Sequence, residues 1–393
     1  MMIAKEPQTA GERPERWGVY IHIPFCRQKC FYCDFPSWAG REKYMQAYTE
    51  ALCWEIQQQG SLFVQRWGQP ATIYIGGGTP TALSNELLEK LLVQIEVTFG
   101  KAAEFTVEAN PGTVDAAKLA LLRQHGVNRL SLGVQSFDDA LLRRIGRIHT
   151  GAEAVAAFQT ARAAVFTNVS LDLMYGLPGQ SLAALQASVE QALALAPEHI
   201  SIYGLQLEEN TAFARMQELG KLDLPSDDAT EAMYDYMTTA LPAAGYARYE
   251  ISNFARPGYA SRHNLAYWQD VPYLGLGAAA HSYLDGQRWA NVADIEAYLE
   301  AIHAGQVPRT AEEPATREIA MEEFAFLALR TATGISRAAF ARKFGVSLDA
   351  IYGNTIARLV EQGALVSERD RVHLTARGAK YGNMVFEKFL LTN

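Results

Sequence analysis

The most regular feature of the chain is an alternation of short apolar runs with longer helical patterns, from about residue 18 to residue 245. Short runs rich in β-branched and aromatic residues, bounded by Gly, Pro or Asn, are typical of buried strands. The predicted strands are residues 18–23, 71–75, 104–109, 129–132, 168–174 and 199–205. The predicted helices between them are residues 44–59, 85–98, 116–124, 153–164 and 182–195.

This alternation predicts an α/β protein built from βαβ units with a parallel sheet. Six units fit the pattern, so we expect a partial parallel (β/α)6 barrel, with a doubly wound open sheet as the alternative. In both architectures ligands bind at the carboxyl ends of the strands. Polar residues and glycines at those ends are therefore the candidates for a functional site.

The pattern changes after residues 306–314, where Pro and charged residues cluster. Beyond this boundary come three helical patterns and two short strand patterns, which together predict a helical, winged-helix-like domain. The helices are residues 318–330, 337–344 and 348–362, and the strands are residues 365–367 and 372–374. The predicted organisation is an N-terminal tail (1–17), a barrel core (18–245), a barrel extension (246–310) and a C-terminal domain (311–393).

Composition narrows the class of protein. The chain has 393 residues, is 49% hydrophobic and carries a formal net charge of -8, which is enough for a large core and more than one domain. The acidic balance argues against nucleic-acid binding, so the C-terminal domain is expected to pack on the barrel or receive a protein partner. No apolar run reaches the length of a membrane span, and the first residues resemble no targeting peptide. We expect a cytoplasmic protein.

Three cysteines follow the first predicted strand in one loop. Cys26, Cys30 and Cys33 have the spacing C-x3-C-x2-C. Three thiolates suit one metal centre and leave a fourth ligand position open. Closed zinc sites usually need a second cysteine pair, whereas Cys53 is the only other cysteine. A disulfide framework is not expected in a long chain with four cysteines and no secretory signal. An iron–sulfur cluster fits better than zinc, because Cys thiolate is its standard ligand.

A glycine-rich turn follows the second predicted strand, in the sequence Gly-Gly-Gly-Thr-Pro-Thr of residues 76–81. Glycines allow the backbone to approach a ligand closely and expose N–H donors. The turn lacks the lysine of a phosphate loop and the spacing of a dinucleotide-binding loop. By itself it is weak evidence, because a tight connection to the next helix explains it equally well.

Polar residues also lie at or near the ends of the third, fourth and fifth strands. Glu108, Gln135 and Asp172 each stand in an apolar sequence, and a buried charge is costly unless it is paired or bound. A hydrogen-bond network inside the barrel is one explanation. Several polar residues at the same end as the cysteines favour a polar ligand with hydroxyl, amino or sulfonium groups. Arg147 is a candidate partner for a carboxylate, although an exposed arginine at a helix end is the alternative.

The cysteine loop and the glycine turn together resemble the radical S-adenosylmethionine superfamily. The resemblance implies a radical-SAM barrel in which three cysteines hold a [4Fe-4S] cluster. It also implies that S-adenosylmethionine chelates the fourth iron through its amino and carboxylate groups and is cleaved reductively to a 5′-deoxyadenosyl radical.

Further motifs resemble the coproporphyrinogen-dehydrogenase-like branch of that superfamily, over most of the chain from residue 19. They are His-Ile-Pro-Phe-Cys, Val-Glu-Ala-Asn-Pro, Arg-Leu-Ser-Leu-Gly-Val-Gln-Ser-Phe, Asp-Leu-Met-Tyr-Gly-Leu-Pro-Gly-Gln and His-Asn-Leu-Ala-Tyr-Trp. Two subfamilies compete within the branch. One is the oxygen-independent coproporphyrinogen III dehydrogenase, which decarboxylates two propionates oxidatively, and the other is the HemW-type heme chaperone.

Three features favour the HemW type. The dehydrogenase has a further cysteine where this chain has Phe35, and it has a longer segment before the cysteine motif than the 25 residues found here. The segment from His263 to Trp268 matches the H-N-x-x-Y-W motif of HemW-type proteins, where it is tied to heme binding. The cofactor set is that of an enzyme, but dehydrogenase activity is not expected, so enzymatic activity stays open.

The resemblance assigns site residues position by position. Cys26, Cys30 and Cys33 correspond to the cluster ligands. The positions that line S-adenosylmethionine, some of which serve a second molecule in the dehydrogenase, are Tyr20, Tyr32, Gly77, Gly78, Thr79, Glu108, Gln135, Arg147 and Asp172. His263 corresponds to the heme residue. His281 is a second candidate, not from the resemblance but because it borders the predicted barrel mouth. The alternative for His263 is a structural hydrogen-bond corner with Tyr267 and Trp268 in the core. The implied partners are heme, a heme acceptor such as a respiratory enzyme, and a second copy of the chain.

Overall fold

The computed structural model describes residues 16–284, 286–310 and 315–391, so most of the predicted N-terminal tail lies outside the described residues. Its central feature is a sheet whose first six strands are parallel and stand in sequence order. They are β1 (Gly18–Ile23), β2 (Thr72–Gly77), β3 (Glu104–Ala109), β4 (Arg129–Gln135), β5 (Val169–Tyr175) and β6 (His199–Gly204). The predicted α/β class and partial (β/α)6 barrel are confirmed.

The strand order excludes the doubly wound alternative. A doubly wound sheet reverses direction at a switch point, whereas here each strand lies beside the next one in the chain. The helices between the strands shield the apolar face of the sheet, as parallel sheets require. These helices are α1 (Met45–Glu55), α2 (Ser61–Trp67), α3 (Asn85–Phe99), α4 (Ala116–Gln124), α5 (Asp139–Arg144), α6 (Gly151–Ala163), α7 (Leu182–Leu195), α8 (Ala212–Glu218) and α9 (Asp227–Ala243).

Both edges of the parallel sheet are extended by short elements that the hydrophobic pattern did not predict. One edge continues through β6, β8 and β7, and the other through β1, β9, β10 and β11. The elements are β7 (Ala247–Arg248), β8 (Asn253–Ala255), α10 (Arg262–Trp268), β9 (Tyr273–Leu276), β10 (His281–Leu284), β11 (Gln287–Ala290) and α11 (Ile295–His303). Strands of two to four residues carry too little periodicity to be recognised in a sequence.

The C-terminal part forms a second hydrophobic core with its own small antiparallel sheet. The predicted helices and hairpin are present, with a third strand that is only two residues long. The elements are α12 (Arg317–Leu329), β12 (Ile335–Ser336), α13 (Arg337–Phe344), α14 (Leu348–Glu361), β13 (Leu365–Ser367), β14 (Arg371–Leu374), α15 (Ala376–Lys380) and α16 (Gly382–Phe386). The predicted domain boundaries at residues 17, 245 and 310 stay predictions. Among the described helices, none has the length and apolar character needed to cross a bilayer.

Candidate functional site

The cysteine loop follows β1 and is fastened at its base. The backbone N–H of Cys26 donates to the carbonyl of Trp38 at 3.0 Å, and that of Trp38 donates to the carbonyl of Pro24 at 2.8 Å. Within the loop, Lys29 Nζ donates to the carbonyl and hydroxyl oxygens of Ser37 at 3.1 and 3.0 Å. These bonds close the loop on itself and hold the three cysteines at the carboxyl end of the sheet.

The three loop cysteines are free thiols with partial solvent exposure. The hydroxyl of Thr79 donates to Cys26 Sγ at 3.8 Å, and Arg147 Nη1 donates to Cys30 Sγ at 3.5 Å. Among the described residues, no group of three His, Cys, Asp or Glu side chains suits a single metal ion. A four-iron cluster does not require such convergence, because each thiolate binds a different iron.

The glycine turn after β2 packs against the cysteine loop and is hydrogen-bonded to its start. Gly78 N–H donates to the carbonyl of Ile23 at 2.8 Å, and Thr79 N–H donates to that of Phe25 at 2.8 Å. A Cβ atom on Gly78 would lie 2.7 Å from the Phe25 carbonyl oxygen and 3.0 Å from Cys26 Sγ. Only glycine therefore lets the turn and the loop approach this closely, which fits the predicted role of the turn beside the cluster.

Glu108 lies at the end of β3 and is held by two donors. The hydroxyl of Tyr74 donates to Oε1 at 2.7 Å, and Gly77 N–H donates to Oε2 at 3.1 Å. Burial raises the pKa of Glu108 to about 7, while the Tyr74 hydrogen bond lowers it and the nearby Asp172 charge raises it. A carboxylate in this setting gains by meeting a positive or hydroxyl-bearing ligand.

Asp172 projects from β5 into the same interior. Ser131 donates to Oδ1 and Oδ2 at 3.1 and 2.9 Å, and Ser170 donates to Oδ1 at 3.1 Å. Burial raises the pKa of Asp172, and the hydroxyl hydrogen bonds oppose that shift. Two carboxylates thus face the interior of the barrel, and as acceptors they suit the amino, sulfonium and ribose hydroxyl groups of S-adenosylmethionine.

Gln135 and Arg147 meet at Gly133 of β4. A Cβ atom on Gly133 would lie 3.2 Å from Arg147 Nη2 and 3.2 Å from Gln135 Nε2. Arg147 Nη2 donates to the Gly133 carbonyl, while its buried Nε has no hydrogen-bond partner. Gln135 has a φ of 68°, at a register shift in the β4–β5 pairing. The strained backbone directs the end of β4 toward the site, and the unpaired guanidinium nitrogen is available to an anionic ligand.

Of the two predicted tyrosines, Tyr20 lies on β1 before the cysteine loop and Tyr32 lies within the loop. His22 Nε2 donates to the carbonyl of Pro36 at 2.8 Å, so its Nδ1 accepts from the Tyr20 hydroxyl at 3.0 Å. Burial lowers the pKa of His22 to about 4, which keeps its ring neutral and structural. Burial raises the pKa of Tyr32, and the Cys30 sulfur next to it raises that pKa further. Most of the nine predicted cofactor positions therefore lie beside the cysteine loop, whereas Tyr20 and Asp172 lie within β1 and β5, below the strand ends.

His263 lies at the opposite end, where the strands begin. The residue is 2% exposed, with ring Nδ1 2.8 Å from the Thr72 hydroxyl and Nε2 2.9 Å from the Tyr267 hydroxyl. Burial lowers the pKa of His263 to about 3, with a further lowering from the Arg129 charge. Both ring nitrogens are occupied in this conformation, so heme ligation by His263 stays a prediction. His281, the second candidate, is exposed at the start of β10.

Sequence reasoning missed Tyr74, Ser131 and Ser170, which position the predicted residues. A signal for them exists, because inward-facing residues alternate along a strand. Tyr74 stands two residues after Thr72 in β2, Ser131 stands two after Arg129 in β4, and Ser170 stands two before Asp172 in β5. Ser170 lies two residues from its partner Asp172 on β5, whereas the partners of Tyr74 and Ser131 are on neighbouring strands, so those two bonds needed the tertiary structure.

Comparison with known proteins identifies the class of this fold and site. A profile described as the Radical SAM superfamily matches residues 20–192, and one described as the HemN C-terminal domain matches residues 315–380. The solved structure of coproporphyrinogen III oxidase (HemN) from Escherichia coli, a radical SAM enzyme, is similar with a TM-score of 0.85 and 23% identity, over 98% of this chain and 92% of that chain. The protein is therefore a radical SAM protein, and the cofactors of that class are a [4Fe-4S] cluster and S-adenosylmethionine.

Curated relatives narrow the class to one family. The chain is 42% identical to the heme chaperone HemW of Bacillus subtilis, over 95% of this chain and 99% of the relative. It is 41% identical to that of Lactococcus lactis, over 95% and 97%, and 36% identical to that of Escherichia coli, over 95% and 98%. The chain belongs to the HemW family of radical SAM proteins.

Proposed function

We propose that this protein is a heme chaperone that binds heme and transfers it to an acceptor protein such as a respiratory enzyme. The observation that carries the proposal is membership in the HemW family, at up to 42% identity over 95% of the chain. Phe35 supports it. This side chain is 57% exposed on the cysteine loop, at the position where the dehydrogenase has its further cysteine.

In this proposal Cys26, Cys30 and Cys33 hold the [4Fe-4S] cluster. S-adenosylmethionine is held by Tyr20, Tyr32, Gly77, Gly78, Thr79, Glu108, Gln135, Arg147 and Asp172. The cluster, when bound, supplies the electron for reductive cleavage of S-adenosylmethionine. The donors from Thr79 and Arg147 to the cysteine sulfurs stabilise thiolate charge, and hydrogen bonds to cluster sulfurs are one way in which proteins tune the reduction potential.

The proposed setting is the cytoplasm, where a reducing environment suits free thiols and an iron–sulfur cluster. The acceptor receives heme from the chaperone, and the C-terminal domain is the proposed docking site for a protein partner. A homodimer is the proposed oligomeric form.

Anaerobic titration of the reconstituted protein with heme tests the proposal. We expect saturable binding that is lost or weakened by His263→Ala and retained by His303→Ala, which removes an exposed histidine from α11. Transfer is followed by mixing the heme-loaded protein with an apo-acceptor and measuring recovery of the acceptor's activity. Absence of heme binding by the wild-type protein contradicts the proposal.

A parallel assay distinguishes the dehydrogenase alternative. The reconstituted protein is incubated anaerobically with coproporphyrinogen III, S-adenosylmethionine and dithionite. A heme chaperone yields no protoporphyrinogen, whereas its formation would assign the protein to heme synthesis.

A further inference from the structure

Helix α10 closes the end of the barrel at which the strands begin, and Glu104 holds it there. Glu104, the first residue of β3, accepts hydrogen bonds from the backbone N–H groups of Arg262 and His263, both at 2.9 Å. The Ser261 hydroxyl also donates to this carboxylate at 3.3 Å. A carboxylate is favourable here because the first N–H groups of a helix lack partners within the helix.

The ring of His263 occupies a space between Gly18, Thr72 and Tyr74 of the barrel. A Cβ atom on Gly18 would lie 2.9 Å from the Thr72 hydroxyl and 3.4 Å from the His263 ring, so glycine makes the room. The ring stacks on Tyr74 with centroids 5.0 Å apart and a 25° angle between planes. Thr72 and Tyr267 then occupy its two nitrogens.

This arrangement conflicts with iron binding in the closed position. A neutral histidine carries a proton on one ring nitrogen and offers the lone pair of the other to a hydrogen-bond donor or a metal. Heme iron can therefore reach His263 only if one of its two hydrogen bonds breaks and the ring leaves the barrel.

Such a movement has to break the other contacts of α10, among them the edge-on packing of Tyr267 against Tyr273 at 4.6 Å. His263 is the only fully buried residue among the seven of α10. On one side of the helix lies Gly258, with a φ of +87° and no atom within 4 Å of a Cβ placed there. On the other side, Asp270 has a φ of 59°. The open turn at Gly258 is a position at which the segment can reorient, whereas Asp270 is 11% exposed and ion-paired with Lys343.

We propose that Thr72 and Glu104 are positioning residues that hold His263 closed, and that heme binds by displacing α10 from the barrel. The inference rests on the proposed function, in which His263 is a heme ligand. Observed heme affinity is then the intrinsic affinity of open α10 multiplied by the fraction of molecules that are open. Weakening the closed state therefore tightens heme binding.

The test compares Thr72→Val with Thr106→Val in the full-length, reconstituted protein. Thr72→Val keeps the shape of the side chain and removes the hydrogen bond to His263. Thr106→Val is the matched control, because Thr106 is 0% exposed in the neighbouring strand β3 and its hydroxyl has no partner. One hydrogen bond corresponds to roughly a 2- to 10-fold change in equilibrium. We expect Thr72→Val to tighten heme binding by about that factor and Thr106→Val to leave it unchanged.

A further comparison ties the gain to His263. In the His263→Ala background, Thr72→Val should no longer change heme affinity, and the absorption and EPR spectra of the heme iron should lose the signature of imidazole ligation. Glu104→Gln, which weakens the hold on α10 at a second point, should change heme affinity in the same direction as Thr72→Val. Damage to the fold would instead weaken heme binding.

The outcomes separate this inference from the proposed function. If Thr72→Val binds heme no more tightly than Thr106→Val while His263→Ala loses heme, the inference of a closed state is overturned. The proposed function as a heme chaperone is then unaffected. If the wild-type protein binds no heme, both are overturned. A gain in Thr72→Val that persists in the His263→Ala background also overturns the inference, because the gain would then not act through His263.

Discussion

The ring of His263 stacks on that of Tyr74 at a centroid distance of 5.0 Å, and the hydroxyl of Tyr74 donates to Glu108 at 2.7 Å. One side chain of β2 therefore contacts residues assigned to two different ligands. Its ring supports the helix that closes one end of the barrel, and its hydroxyl orients a carboxylate at the other end. This contact links the H-N-x-x-Y-W motif physically to the predicted S-adenosylmethionine site.

The affinity for S-adenosylmethionine should depend on pH through Glu108. The pKa of Glu108 is raised to about 7, so the carboxylate is mostly protonated at about pH 6 and mostly ionised at about pH 8. Because the ionised form accepts hydrogen bonds from hydroxyl or amino groups, the affinity for S-adenosylmethionine should rise by up to about tenfold between these values. Isothermal titration of the reconstituted protein with S-adenosylmethionine at each pH measures this affinity. The Glu108→Gln variant should bind S-adenosylmethionine more weakly and without this rise. If its affinity still rose with pH, Glu108 would not be the group responsible.

Tyr74→Phe should move the midpoint of that pH dependence upward. The Tyr74 hydrogen bond stabilises the ionised carboxylate and so lowers the pKa of Glu108. Its removal leaves the ring in place against His263 but requires a higher pH to ionise Glu108. The same titrations across pH measure the midpoint, and an unchanged or lower midpoint would show that Tyr74 does not control this carboxyl group.

Replacement of any loop cysteine by serine should prevent assembly of the cluster. Cys26, Cys30 and Cys33 are the free, partly exposed thiols of the loop, whereas Cys53 is buried on α1 with its sulfur 3.9 Å from the carbonyl of Lys90. Iron and sulfide content, with the visible absorption of the reconstituted protein, reports assembly. Cys53→Ala is the control and should retain the cluster. A full cluster in one of the loop variants would remove that cysteine from the ligand set.

Gly78→Ala should impair the cluster site, whereas Gly112→Ala should not. The added methyl group would lie 2.7 Å from the Phe25 carbonyl oxygen and must displace the cysteine loop, at a cost of about 1–3 kcal/mol in the free energy of unfolding. At Gly112 the nearest atom would be 4.0 Å away, so the change should stay within about 0.5 kcal/mol. Chemical denaturation and iron content together measure both effects. Equal behaviour of the two variants would rule out close packing at Gly78.

Gln135→Gly should weaken cofactor binding without lowering the stability of the fold. Gln135 has a φ of 68°, a conformation that costs a residue with a side chain about 1 kcal/mol more than glycine. The substitution should preserve or raise the free energy of unfolding while weakening the binding of S-adenosylmethionine, because the amide is lost. Denaturation and binding are measured on the same preparation. A variant with unchanged affinity would show that the Gln135 amide does not contact the cofactor.

Local sequence was sufficient for the parts of the structure that depend on short-range order. The six parallel strands, their main helices and the C-terminal hairpin were predicted because each carries its own periodicity. Strands β7 to β11 were not, because segments of two to four residues are fixed by the edge on which they pair. The missed hydrogen bonds to Asp172 have the same origin, since Ser131 lies on the adjacent strand.

The sequence by itself determined the class of chemistry, because the spacing of Cys26, Cys30 and Cys33 and the glycine turn are local patterns that specify a cluster loop and its seat. Only the tertiary structure decided the state of His263. Whether a histidine is accessible depends on the groups that surround it, and here Thr72 and Glu104 come from strands far away in the chain. Burial and hydrogen bonding between distant segments are set when the barrel closes on α10, so no local pattern could show that this ring is enclosed.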